Sequence, residues 1–149
     1  MNVRVQEQDF DISAEIAAMR AGNPKIGAIA SFVGVVRDVN DGDSVATMTL
    51  EHYPGMTEAE IARSAAEAAA RWPLTGITVI HRIGTLTPGD AIVLVAVAAA
   101  HRAEAFAACE FLVDYLKTQA PFWKEEARGG GRNWVEARSS DVAAADRWK

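Results

Sequence analysis

The chain has 149 residues, half of them hydrophobic and 23% charged, which suits one soluble globular domain spanning 1–149 with a sizeable core. A net charge of −5 gives nucleic-acid binding no global support, so any basic cluster must be local. The single cysteine, Cys109, excludes an intrachain disulfide and fits a reducing cytoplasm; the polar start lacks a secretory pattern, and the longest apolar run, near residues 91–100, is too short to span a bilayer.

In chain order, Val3 and Val5 alternate with polar residues over 1–7, an edge-strand pattern. Asp11 or Ser13 is placed to cap a helix carrying Ile12, Ile16 and Met19, and Gly22 before Asn23-Pro24 ends it. Residues 26–36 read as a long apolar strand that delivers Arg37 at its end, and 38–44 as a polar turn or flexible loop. Residues 45–53 alternate as a half-buried strand. Thr57-Glu-Ala-Glu60 has capping-box spacing, opening a helix with Ile61, Ala65, Ala68 and Trp72 on one face and Pro73 at its stop. Two strands over 76–83 and 90–99 follow, joined through Pro88-Gly89; the second is apolar on both faces and is expected to be central. A helix is expected over 102–119, flexibility at 129–131, a last strand over 133–138 and a short tail at 142–148. Mixed hairpins and crossovers in this order predict an α+β fold, with helices on a largely antiparallel sheet.

The stretch around which these elements are organised is Tyr115-Leu116-Lys117-Thr118-Gln119-Ala120-Pro121-Phe122-Trp123-Lys124-Glu125-Glu126. Its two lysines lie seven residues apart, on either side of a proline that must end the helix. At 100° per residue, Phe106, Cys109, Leu112, Val113 and Leu116 share one arc, and Lys117 falls at its edge. Partial burial there would lower the pKa of its amine. Lys124 follows an aromatic pair able to fix the new chain direction, so both amines are expected at one pocket. Cys109 sits on the apolar arc and reads as a core thiol.

The cationic residues at element ends are Arg37, His101, Arg102, Lys117, Lys124 and Arg138. Guanidinium forks suit phosphate, a lysine amine offers a point charge or a base, and a helix start such as His101-Arg102 favours anions. The composite is a phosphate pocket with a reactive amine. No metal site is expected, because His52, His81 and His101 are scattered without ligand spacing. No Gly-x-Ser-x-Gly elbow, dinucleotide loop or Walker loop occurs, and no cofactor is expected.

The ordered series Phe32-Val-Gly-Val-Val-Arg37-Asp38, Leu50-Glu-His52-Tyr-Pro-Gly-Met56, His81-Arg-Ile-Gly84, Pro88-Gly-Asp90, His101-Arg102, Asp114-Tyr-Leu-Lys117, Pro121-Phe-Trp-Lys124 and Trp134-Val-Glu-Ala-Arg138 resembles the catalytic (large) subunit of molybdopterin synthase. The resemblance covers roughly residues 25–148. It implies an α/β-hammerhead-type fold with a small extra β subdomain. The activity it implies is transfer of two sulfurs to cyclic pyranopterin monophosphate (precursor Z), making the dithiolene of molybdopterin for molybdenum cofactor biosynthesis. The sulfur comes from the C-terminal Gly-Gly thiocarboxylate of a small ubiquitin-like carrier subunit, within a heterotetramer built on a homodimer of large subunits. Neither nucleic acid nor membrane is an implied partner. Lys117 is then the principal acid/base or covalent lysine, with Lys124 as its helper. Arg37, His101, Arg102 and Arg138 hold phosphate, and Glu125 and Glu126 flank the substrate site, Glu125 standing where the family commonly has a basic residue. Phe32, Val35, Val36 and Met56 are expected to line the slot for the carrier's tail. Two other classes stay open: a non-catalytic module docking a ubiquitin-like partner, and a Schiff-base lysine enzyme acting on a small phosphosugar.

Overall fold

A computed structural model describes residues 1–40, 43–120, 122–128, 131–135 and 139–149, with side chains outside 39–45, 121 and 123–139. The elements are β1 (Asn2–Gln6), α1 (Ile12–Arg20), β2 (Ala28–Val35), β3 (Val39–Asn40), β4 (Asp43–His52), α2 (Met56–Arg71), β5 (Leu74–Arg82), β6 (Gly84–Leu86), β7 (Ala91–Ala99), α3 (Arg102–Thr118), β8 (Phe122–Arg128), β9 (Gly131–Val135) and α4 (Ser139–Asp146). They form a four-stranded sheet in the order β1-β5-β7-β2 and a second sheet in the order β3-β4-β8-β9, with β6 also paired to β4. Only β1 and β5 run parallel among the described pairs, so the fold is α+β and mostly antiparallel.

The apolar run 92–99 is buried throughout, as a strand flanked by β5 and β2 and covered on both faces must be. Val79, Val95, Val97, Ile61, Ala65, Ala105 and Leu112 join the main core beneath α2 and α3. Ile80, Leu94 and Ala96 face the other way, against Ile16 and Met19 of α1. Alanines on the inner faces of α2 and α3 let these helices sit close to the sheet. Asp11 caps α1 by accepting from the N–H of Ala14 at 3.0 Å, and Gly22 adopts φ 68° just past its end.

Several sequence expectations need correction. The cap of α2 is Gly55, not Thr57: the Gly55 N–H donates to Glu58 Oε2 at 3.4 Å, while Thr57 is fully buried and its hydroxyl accepts from the Tyr53 N–H at 3.0 Å. Phe106 is 65% exposed, because Ala105, Ala108, Phe111, Leu112 and Tyr115 make the inner face of α3 instead. Residues 142–146 belong to α4 rather than to a tail. Residues 122–128 form a strand, β8, that the sequence reading omitted. The flexibility expected at 129–131 falls at a β8–β9 hairpin whose residues 129 and 130 lie outside those described.

Candidate functional site

Two ends of β7 have to be distinguished. Its first residue, Ala91, lies across from Val35, and its last, Ala99, lies across from Ala28. Eight strand steps separate them, about 27 Å. At the Ala91 end, the Val36 N–H donates to the Asp90 carbonyl at 2.9 Å and the Gly89 N–H to the Val36 carbonyl at 2.8 Å, fixing where exposed Arg37 leaves β2. Arg82 reinforces that end, donating to the Ala91 carbonyl at 3.1 Å and to the Glu7 carbonyl at 3.0 Å.

Helix α3 starts at the other end and runs back along β7. His101 is its N-cap and Arg102 its first residue, both exposed. Cys109 meets β7 midway, its thiol donating to the Val95 carbonyl at 3.8 Å. From Cys109 to Lys117 is eight helical steps, about 12 Å, and from Val95 back to Ala91 is four strand steps, about 13 Å. Lys117 therefore ends level with Ala91, on the Arg37 side of the molecule. It is exposed, so the burial expected for it is not met: Leu116 and Val113 carry the inward side of the last turns.

The end of α3 is held by neighbours that the sequence reading did not single out. The Tyr115 hydroxyl donates to Glu60 Oε2 of α2 at 2.9 Å and accepts from Arg63 at 3.0 Å. Hydrogen bonding from Arg63 holds the Glu60 carboxyl below its usual range, while burial pushes the Tyr115 hydroxyl up. One turn before Lys117, Asp114 accepts from the indole N–H of Trp148 at 2.5 Å and from Arg147 at 3.2 Å. The chain then passes to β8, where Phe122 stacks on His81 of β5 with ring centroids 3.9 Å apart. In the β4–β8 register Phe122 lies across from His52 and Lys124 across from Leu50; on the other side Lys124 lies across from Val135.

The expected site residues thus fall into three sets. Arg37, Lys117 and the strand carrying Lys124, Glu125 and Glu126 gather at one end of the four-stranded sheet, although the side chains of 124–126 lie outside those described. His101 and Arg102 sit at the opposite end of β7, so one copy of the chain does not bring them to Arg37. Arg138 lies outside the described residues. Of the slot residues, Val35 and Met56 are 48% and 59% exposed, Phe32 is half-buried, and Val36 at 2% belongs to the core and has no open face. Cys109 is a core thiol, as expected; burial pushes it up to about 11. Among the described residues no group of three or more metal-ligating side chains occurs, and no helix is long and apolar enough to cross a membrane.

A profile of the MoaE protein family matches residues 5–119. The chain belongs to the MoaE family. It is 61% identical over 146 residues to the molybdopterin synthase catalytic subunit of Ralstonia nicotianae, covering 98% of this chain and 83% of that one. The structure of a molybdopterin biosynthesis MoaE protein from Burkholderia ambifaria superimposes with a TM-score of 0.85 at 57% identity, over 99% of this chain and 97% of that one. A molybdopterin synthase structure from Staphylococcus aureus gives 0.81 at 30% identity, over 88% and 94%. In this MoaE chain the residues matched by the family profile run from the last two of β1 to just past the end of α3, taking in Arg37, His101, Arg102 and Lys117.

Proposed function

We propose that the chain is the catalytic subunit of a molybdopterin synthase. It transfers two sulfurs, one at a time, from the C-terminal thiocarboxylate of a small ubiquitin-like carrier to precursor Z, and so makes the dithiolene of molybdopterin. The observation that carries this reading is the gathering of Arg37, Lys117 and the Lys124 position of β8 at one end of the sheet, in a chain of this family. A phosphorylated substrate needs a guanidinium fork there, and sulfur delivery to carbon with release of the carrier needs a group that exchanges protons or captures the carrier's acyl end. Lys117 serves as that group and Lys124 supplies positive charge beside it. Exposed Val35 and Met56 offer apolar surface for an extended tail.

The site takes residues from two copies. In one chain Arg37 and His101-Arg102 stand at opposite ends of β7, about 27 Å apart, too far to share one phosphate. β2 is an edge of its sheet, so a second copy laid antiparallel along it brings its own residues 101–102 beside Arg37. Exposed Phe106, one turn beyond Arg102, gives such a contact apolar surface.

Single-turnover sulfur transfer from thiocarboxylated carrier to precursor Z tests the lysine roles. Lys117→Ala is expected to slow transfer at least ~100-fold, the low end for a positioned acid or base. Lys117→Arg fails nearly as badly, since guanidinium does not deprotonate in this range, whereas Lys124→Arg recovers part of the loss in Lys124→Ala. Near-normal transfer by Lys117→Arg would mean that only charge matters at that position.

A further inference from the structure

His81 is the one buried histidine among the described residues, at 6% exposed, and no step proposed above uses it. It lies near the end of β5, across from Val5 on β1 and from Val93 on β7, close to where Arg37 emerges. Its ring is held at Nδ1 and on one face. Nδ1 lies 2.8 Å from the Arg82 carbonyl, and since a carbonyl only accepts, Nδ1 carries the proton. The ring face lies against Phe122 with an interplanar angle of 21°. Phe122 is the first residue of β8, and its N–H donates to the Ala120 carbonyl at 2.8 Å. The chain from the end of α3 to β8 is thus held at both ends: by Thr118, whose hydroxyl donates to the Asp114 carbonyl at 2.9 Å, and by Phe122 against His81. Positions 122 and 124 are two apart and so lie on one face of β8, across from His52 and Leu50.

We propose that His81 is a positioning residue for sulfur transfer, acting through Phe122 to fix where β8 begins and hence where Lys124 stands relative to Lys117. The inference rests on the lysine assignment above. A flat ring stacked on Phe122 is what the role requires, and the hydrogen bond at Nδ1 sets the orientation of that ring. Misplacing by about 1 Å a charge that stands beside the reacting amine costs up to about 100-fold in rate, and no more than removing that charge outright.

The test is a double-mutant cycle in single-turnover sulfur transfer from thiocarboxylated carrier to precursor Z, run well below the melting temperature of every variant. His81→Ala is expected to slow transfer about ten- to a hundredfold, with substrate affinity little changed. His81→Phe keeps a ring against Phe122 and recovers most of the rate. In a Lys124→Ala background the same His81→Ala change adds little, because the group it positions is already gone. An equal slowing by His81→Ala in both backgrounds overturns the proposal, and so does failure of the phenylalanine to rescue. Should Lys124→Ala alone leave transfer at the wild-type rate, the lysine assignment fails, a result distinct from additivity in the cycle.

Discussion

The Cys109 thiol donates to the carbonyl oxygen of Val95 across 3.8 Å, seating the middle of α3 on the middle of β7. That contact sets which way α3 points and therefore which end of the sheet receives Lys117. It also buries the thiol. Burial raises its folded-state pKa from 9.0 to about 11, so the neutral thiol stabilises the fold fully below pH 9, and that contribution is lost as pH rises toward 11. The loss expected between pH 8 and pH 10.5 is about 2 kcal/mol. Urea denaturation at pH 8 and pH 10.5, with Cys109→Ala as the reference lacking the thiol, reads the difference. A wild-type chain that loses no more than the alanine variant would contradict it.

Gly27 marks the other end. A Cβ there would stand 2.1 Å from the Ala100 carbonyl oxygen, so Gly27→Ala must displace the backbone that leads into His101 and Arg102. The expected cost is about 2–3 kcal/mol of stability, together with weaker binding of the phosphorylated substrate. Gly22→Ala is the control. It meets nothing within 4 Å but sits at φ 68°, so it costs about 1 kcal/mol and leaves substrate affinity alone. Urea denaturation and substrate titration of the two variants separate backbone displacement near Arg102 from general destabilisation.

Trp148 clasps α4 to α3. Its ring meets Trp72 and Phe111 edge-on at 5.7 Å each, and its indole N–H donates to Asp114. Trp148→Ala is expected to cost about 2–3 kcal/mol, somewhat under a fully buried aromatic because this ring is half-buried. Trp148→Phe recovers the edge-on packing but leaves Asp114 without the indole donor, and falls between the two in chemical denaturation. Equal losses in both variants would mean that the hydrogen bond, not the ring cluster, carries the clasp.

Much of this architecture is legible in the sequence. The run 92–99 is apolar on both faces and had to be central, Asp11 and Gly22 punctuate α1, and the alanine face of α2 packs as its spacing predicts. The inner face of α3 is misread for a physical reason. Projection by hydrophobicity favours Phe106, but a helix lying close on a sheet uses small residues such as Ala105 and Ala108, and Phe106 turns out to solvent. Residues 122–128, Phe-Trp-Lys-Glu-Glu-Ala-Arg, show no apolar alternation, because pairing with β4 and β9 rather than patterning makes them a strand. Arg37, Lys117 and His101 are all visible as cations at element ends. One helix over 102–119 already parts His101 from Lys117 by about 24 Å; that α3 folds back along β7, and so sets Lys117 rather than His101 level with Arg37, is a tertiary fact that no local spacing encodes.

A sulfur-transfer site shared by two copies can be dissected in a mixed dimer. Arg37→Ala and Arg102→Ala should each weaken substrate binding by about 1.5–3 kcal/mol through loss of a charge-assisted bond to phosphate. Carrying different affinity tags, the two variants are co-expressed and the doubly tagged species isolated. Two-fold symmetry then gives each mixed dimer one site lacking both arginines and one with both intact. The mixed dimer is expected to form dithiolene at about half the wild-type rate at low substrate, well above either variant alone. A mixed dimer no more active than its parents, or a chain that remains monomeric while fully active with its carrier, would contradict it.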